Sequence, residues 1–84
     1  MKIVRIEAVL EETGHRSHAT IYNSVKEGLF TKPVKIGQRA VGWPMSEVQA
    51  INAARIAGLT NEQIRALVAQ LHSQRSSFLV PPVQ

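Results

Sequence analysis

The chain has 84 residues, 44% of them hydrophobic and 19% charged, and it carries a net charge of +4 and no cysteine. This length allows one folded domain with a small core, and the balance of apolar and charged residues excludes a disordered chain. The lack of cysteine excludes disulfides, thiolate metal sites and thiol catalysis. The chain has neither a long apolar segment nor a signal-peptide core, which excludes a membrane partner and favours the cytoplasm.

The first predicted element is a short helix, preceded by a strand or an ordered lead-in at residues 2–5. Four residues recur at the spacing of one helix face: Ile6, Val9, Leu10 and Thr13. Gly14 follows them and is suited to the left-handed conformation that commonly ends a helix. A helix of about two turns needs tertiary packing to be stable.

A second helix is predicted over residues 17–27, with Ser17 as its N-cap and Gly28 as the residue that stops it. Ile21 and Val25 form its buried stripe. Two short helices joined by a tight turn outline a helix-turn-helix. The second helix is expected to expose polar side chains that can reach base edges and phosphates: Ser17, His18, Thr20, Tyr22, Asn23 and Ser24.

A β-hairpin is predicted over residues 33–42. Pro33 opens an extended stretch in which Val34 and Ile36 alternate with Lys35, the period of a strand. A tight turn at residues 37–38 and a returning strand over residues 39–42 complete it. Such a hairpin could clamp a phosphate backbone. The alternative interpretation is a solvated surface hairpin without a ligand.

The basic charge is concentrated in the second helix and the hairpin. Residues 15–43 contain five basic residues and one acidic residue, a net charge of +4 that equals the charge of the whole chain. The five are Arg16, Lys26, Lys32, Lys35 and Arg39. A local excess of positive charge suits a polyanionic partner better than a uniformly basic surface would.

Two further helices complete the chain. Trp43-Pro44 is expected to make a corner, with Trp43 a core anchor and not a base-stacking residue. A third helix starts at Pro44 or Ser46 and runs to about residue 57, where Gly58 ends it. Two aliphatic residues and four alanines are expected to give it a small-residue surface suited to close packing: Val48, Ile51, Ala50, Ala53, Ala54 and Ala57.

The fourth helix begins with a capping box formed by Thr60 and Gln63. Its apolar stripe consists of Ile64, Leu67, Val68 and Leu71. This stripe is expected to complete the core of the domain or, as the less favoured alternative, to pair with another copy of the chain. His72 is interpreted as a basic residue that interacts favourably with the helix dipole. Prolines near the C-terminus forbid helix, so residues 77–84 are expected to form a flexible tail or, alternatively, a docking arm.

Taken in order, these motifs resemble the AlpA family of prophage and integrative-element regulators. The matching stretches are Thr20-Ile21-Tyr22, Lys26-Glu27-Gly28-Leu29-Phe30, Lys32-Pro33-Val34-Lys35-Ile36-Gly37, Arg39-Ala40-Val41-Gly42-Trp43 and the third helix over residues 46–57. The resemblance therefore covers roughly residues 6–57. It implies a winged helix-turn-helix related to the MerR and excisionase folds, which binds DNA near attachment sites or promoters.

The predicted fold class is thus mainly α with a small β-hairpin. A winged helix-turn-helix occupies residues 1–58, and a C-terminal amphipathic helix over residues 59–76 packs on it or on a partner. Asn23 and Ser24 stand where the family commonly has an arginine and an apolar residue, which leaves the preferred DNA sequence open.

The favoured hypothesis is a sequence-specific, double-stranded-DNA-binding regulator of a prophage or integrative element. Its second helix would enter the major groove and its hairpin would contact the backbone. The predicted DNA-contacting residues are Arg16, Ser17, His18, Thr20, Tyr22, Asn23, Lys26, Lys32, Lys35 and Arg39. Several copies in a homo-oligomer, or a protein partner, are expected on one site because a single small domain has limited specific affinity.

The alternatives are a recombination directionality factor, or an adaptor that contacts an integrase or polymerase through the fourth helix. RNA binding ranks below DNA binding because the chain lacks interleaved aromatic residues. Enzymatic activity, a cofactor and a metal are not expected. The chain has no aspartate, and His15 and His18 lack a third ligand nearby.

Overall fold

Helices and a small sheet alternate along the part of the chain described by the computed structural model, residues 2–78. The elements in chain order are β1 (Ile3–Val4), α1 (Ile6–Thr13), α2 (His18–Lys26), β2 (Val34–Lys35), β3 (Val41–Pro44), α3 (Met45–Ile56), α4 (Asn61–Gln74) and a 3₁₀ turn (Arg75–Phe78). None of the helices within residues 2–78 is long and apolar enough to cross a membrane.

The three strands form one antiparallel sheet with β3 in the centre. On one side β1 pairs with the end of β3, with Ile3 opposite Pro44 and Val4 opposite Trp43. On the other side β2 pairs with its beginning, with Val34 opposite Gly42 and Lys35 opposite Val41. The lead-in predicted at residues 2–5 is therefore a strand. It adds a third strand to the predicted hairpin.

The tight turn predicted at residues 37–38 of the hairpin is wrong. The turn is a three-residue loop over residues 37–39, closed by a hydrogen bond from the N–H of Ile36 to the oxygen of Ala40 at 3.0 Å. Gly-Gln lacks the strong preference of Asn-Gly for a two-residue turn, so the longer loop forms. Trp43 and Pro44 pair with β1, and the chain passes directly from β3 into α3 after Pro44, which is the N-cap of this helix.

The ends of α1 and α2 are where the sequence places them. The α1 helix ends at Gly14, and the hydroxyl of Ser17 caps α2 by accepting from the N–H of Ala19 at 3.1 Å. Gly28 has a φ of 77°, which L side chains rarely adopt, and it reverses the chain after α2. Together α1, α2 and the β2–β3 hairpin give the predicted winged helix-turn-helix arrangement.

The core is centred on Trp43, which is fully buried as predicted. Its indole N–H donates to the backbone oxygen of Thr31 at 2.7 Å, so the one polar atom of the ring is satisfied. The other buried apolar residues come from every helix and from the segments between them: Val4, Val9, Ile21, Phe30, Val48, Ile51, Ala54, Ile64 and Val68. Residues of α4 thus lie in the same core as those of α1 to α3.

The packing surface expected on α3 is confirmed in part. The packing face is made by Val48, Ile51 and Ala54, which recur every three residues. Ala53 and Ala57 are exposed, because the helical period turns them away from that face. At the C-terminus, the 3₁₀ turn extends structure into the predicted tail, and residues 79–84 lie outside the described part of the chain.

Candidate nucleic-acid interface

The centre of the candidate interface is the solvent face of α2. Ile21, on the opposite side of this helix, is fully buried and fixes how the helix is rotated. The 3.6-residue period then turns Tyr22, Asn23 and Lys26 outward, and all three are exposed. Ser24 was expected to be exposed, but it is half-buried because it lies on the flank next to Ile21.

All ten residues predicted to contact DNA are exposed. Arg16, Ser17 and His18 precede or begin α2, and Lys32 lies between α2 and β2. Lys35 ends β2, and Arg39 lies in the loop of the hairpin. Their exposure leaves these side chains accessible to a ligand.

Trp43 links the two elements that carry these residues. It belongs to β3 of the hairpin, and its ring makes a T-shaped contact with the Tyr22 ring, with 5.9 Å between centroids and 62° between planes. The ring of Phe30 also packs against Trp43, with 6.2 Å between the ring centroids. Tyr22 is still 44% exposed, so one part of its ring is fixed by the core while the rest faces solvent. The orientation of α2 relative to the hairpin is therefore set by buried aromatic contacts.

Lys32 has an exposed side chain, but both its backbone groups are bound by the C-terminal part of the chain. Its N–H donates to Nε2 of His72 at 3.0 Å, and its oxygen accepts from Nη2 of Arg75 at 2.6 Å. Arg65 makes a third contact of this type, donating from Nε to the backbone oxygen of Glu27 at 2.9 Å.

The interpretation of His72 as a charged residue at the helix end is wrong. An N–H donates to its Nε2, so this nitrogen carries no proton. Burial lowers the pKa of His72, and the neighbouring positive charges of Arg75 and Lys32 act in the same direction, against the opposing effect of Glu47. The neutral imidazole is thus favoured, and its role is that of a hydrogen-bond acceptor.

Arg75 is held in place by a two-bonded ion pair with Glu47. Its Nε donates to Oε2 at 2.8 Å and its Nη2 to Oε1 at 2.7 Å. Glu47 is only 3% exposed, although the sequence suggested no partner for it. One signal was available: Glu47 lies four residues before Ile51 and seven before Ala54, on the face of α3 that packs inward.

A separate cleft of about 530 Å³ lies between α1, the end of α2 and the second half of α3. Its lining contains none of the ten predicted residues. His15 and Ile56 are among its lining residues, and Ile56 is 87% exposed. Residues 2–78 contain no group of three His, Cys, Asp or Glu side chains that is placed to hold a metal ion.

A comparison with known families agrees with this architecture. The family described as "Prophage CP4-57 regulatory protein (AlpA)" matches residues 2–56. The chain belongs to the AlpA family of phage regulatory proteins. The AlpA match runs from β1 to the end of α3, so it includes all ten residues of the candidate interface and stops before α4.

One relative of this AlpA-family chain comes from Enterobacteria phage P4 and is described as "Uncharacterized protein ORF88". The two are 39% identical over 57 residues, which is 68% of this chain and 64% of that protein. The match thus spans somewhat less than two thirds of the relative. No solved structure matches the chain.

Proposed function

We propose that this AlpA-family chain is a sequence-specific DNA-binding regulator of a phage or integrative element. The observation that carries the proposal is the exposed polar and basic face of α2, fixed against the hairpin through Trp43. The membership in a family of phage regulatory proteins supports the biological context. The net charge of +4 within residues 15–43 supports a polyanionic ligand.

In this mechanism α2 enters the major groove. Asn23 is suited to bidentate recognition of adenine, while Tyr22 and Thr20 offer hydroxyl groups to base edges or phosphates. Lys26 lies on the same exposed side of the helix as Tyr22, where its ammonium can neutralise a phosphate. Arg16, Ser17 and His18 contact the backbone where the helix begins.

The hairpin supplies contacts beside the groove. Lys35 at the end of β2 and Arg39 in the loop are both exposed, so they can neutralise phosphates or reach the adjacent minor groove. Lys32 does the same at the base of the hairpin. If about four phosphates are neutralised per copy, log K should fall with log salt at a slope of about −4.

The affinity of one copy is limited by its size, so we propose that several copies share one site. A regulator and a recombination directionality factor need the same surface, and contacts with an integrase or polymerase are a separate prediction. An adaptor that acts through α4 is less well supported, because Ile64 and Val68 are buried in the core and are not available to a partner.

The test is binding to duplex DNA from the genomic neighbourhood of the gene against scrambled duplex, at two salt concentrations. We expect a preference of about a hundredfold or more for one native segment. Asn23→Ala should reduce this preference. Lys35→Ala should instead weaken binding to both duplexes alike and reduce the magnitude of the slope of log K against log salt by about one. Equal affinity for native and scrambled duplex would contradict a sequence-specific regulator, and no binding to either would contradict DNA binding.

A further inference from the structure

Three side chains near the C-terminus bind the backbone between α2 and the hairpin. Arg65 binds the oxygen of Glu27, His72 binds the N–H of Lys32, and Arg75 binds the oxygen of Lys32. We call these three the α4 anchor residues. Arg65 lies near the start of α4, His72 lies near its end, and Arg75 is the first residue of the 3₁₀ turn that follows. Together they contact both ends of the connecting segment 27–32.

This segment has no regular secondary structure, so its backbone groups depend on other partners. The N–H groups of Gly28 and Leu29 return to α2, and the oxygen of Thr31 binds the indole of Trp43. The oxygen of Glu27 and both backbone groups of Lys32 are bound by the α4 anchor residues. The path of the chain from α2 to β2 is therefore fixed by α4 as well as by the core.

We infer that Arg65, His72 and Arg75 are positioning residues for DNA binding, which hold α2 and the hairpin in their relative orientation without contacting DNA. The inference rests on the proposed function, since it needs both elements to touch one duplex. A shift of about 1 Å in either element is enough to misalign hydrogen bonds, which tolerate little change in distance.

Arg75 is unsuited to a simple test. Its guanidinium pairs with the buried carboxylate of Glu47, and removal of one partner of such a pair leaves a buried charge and can prevent folding. Arg65 and His72 are better choices, because neither is paired with a buried carboxylate.

Arg65→Ala has a matched control in Arg55→Ala. Both arginines are exposed on helices, each donates to an oxygen nearby, and each substitution removes one positive charge. Arg55 donates to the side chain of Asn61, far along the sequence from the connecting segment. A general effect of charge on DNA binding appears in both variants, whereas a positioning effect appears only in Arg65→Ala.

His72→Ala has a matched rescue in His72→Gln. The oxygen of the Gln amide reaches about as far as Nε2 and can accept from the N–H of Lys32. His72→Asn is shorter and does not reach, so it serves if the Ala variant fails to fold. Hydrogen exchange at the amide of Lys32 in the free protein reports whether the bond is lost.

The experiment measures Kd for the preferred duplex for these variants, with thermal melting to confirm folding. We expect Arg65→Ala and His72→Ala to raise Kd by about tenfold more than Arg55→Ala, and His72→Gln to stay near the unsubstituted chain. Lys32 amide exchange should be faster in His72→Ala and His72→Asn.

Unchanged Kd in Arg65→Ala and His72→Ala, with faster exchange at Lys32, would overturn the inference while the proposed function stands. A Kd in His72→Gln as poor as in His72→Ala would also overturn it. If the unsubstituted chain binds no duplex at all, the proposed function fails and the inference fails with it.

Discussion

At the scale of single residues, Lys32 and His72 are joined by a hydrogen bond across 40 positions of sequence. The bond ties the base of the hairpin to the end of α4, and it requires an unprotonated Nε2. Protonation of His72 removes the acceptor and adds a positive charge beside Arg75, whose guanidinium is already bound to the Lys32 oxygen. The state of one imidazole therefore affects how firmly Lys32 is held.

This arrangement predicts that the free energy of unfolding decreases at mildly acidic pH. In the unfolded chain His72 takes up a proton near its ordinary pKa of 6.5, whereas burial and Arg75 lower its pKa in the folded chain. Between these two values the unfolded state binds more protons, so stability is full above pH 6.5 and is lost as the pH falls through the folded pKa.

Urea denaturation at about pH 7.5 and about pH 5.5 measures the difference. His72→Gln should show little change between the two, because the amide keeps the hydrogen bond and does not titrate. A pH dependence of the same size in His72→Gln would assign the effect to groups other than His72 and contradict the prediction.

At the scale of elements, local signals were enough to place the helices. The caps at Ser17 and Thr60 and the stop at Gly28 depend on residues within about four positions, so sequence spacing determines them. The solvent face of α2 followed from the same period once Ile21 was assigned to the core. The exposure of Tyr22, Asn23 and Lys26 was predictable for this reason.

Contacts between distant segments were not predictable. Nothing near His72 or Arg75 in sequence indicates that they bind Lys32, because the partners are 40 and 43 positions away. The buried pairing of Glu47 with Arg75 is likewise a property of how α3 and α4 pack. Periodicity identifies the face that a side chain occupies, but the partner on the opposing element depends on the assembled fold.

The contact between β1 and β3 gives a prediction at this scale. A Cβ at Gly42 would lie 2.8 Å from the backbone oxygen of Val4 and 2.7 Å from Cγ2 of Ile3. The oxygen belongs to the paired strand and cannot move away without disturbing the sheet. Gly42→Ala should therefore destabilise the fold by about 1–3 kcal/mol, measured by urea denaturation.

Gly37→Ala is the matched control for this substitution. A Cβ there meets only the Cβ of Ala40 at 3.8 Å, an ordinary contact, and Gly37 does not have a positive φ. Its effect should be within about 0.5 kcal/mol. Equal losses in the free energy of unfolding of the two variants would show that the close approach of β1 does not exclude a side chain at position 42.

At the scale of the whole molecule, the AlpA match and the folded unit have different extents. The match ends at residue 56, but the core continues into α4 through Ile64 and Val68. Leu59, Leu67 and Leu71 are half-buried against the same core. The buried carboxylate of Glu47 on α3 also has its partner, Arg75, beyond the match. The part common to the family thus depends on a helix outside it.

We therefore predict that a chain shortened to residues 1–58 does not fold on its own. Loss of two fully buried aliphatic side chains removes about 3–6 kcal/mol of burial, which is comparable to the whole stability of a domain this small. Glu47 would in addition lose its partner. Circular dichroism should show reduced helicity and no cooperative melting for residues 1–58, in contrast to the full chain.

Two point variants within α4 distinguish the effect of its core packing from the effect of shortening the chain. Ile64→Ala removes a fully buried side chain and should cost about 2–5 kcal/mol, whereas Gln70→Ala alters an exposed position of the same helix and should be nearly neutral. Cooperative melting of residues 1–58, with Ile64→Ala as stable as Gln70→Ala, would show that α4 is dispensable for the fold. Its apolar stripe would then be free for a protein partner, and the adaptor hypothesis would become the better account of this helix.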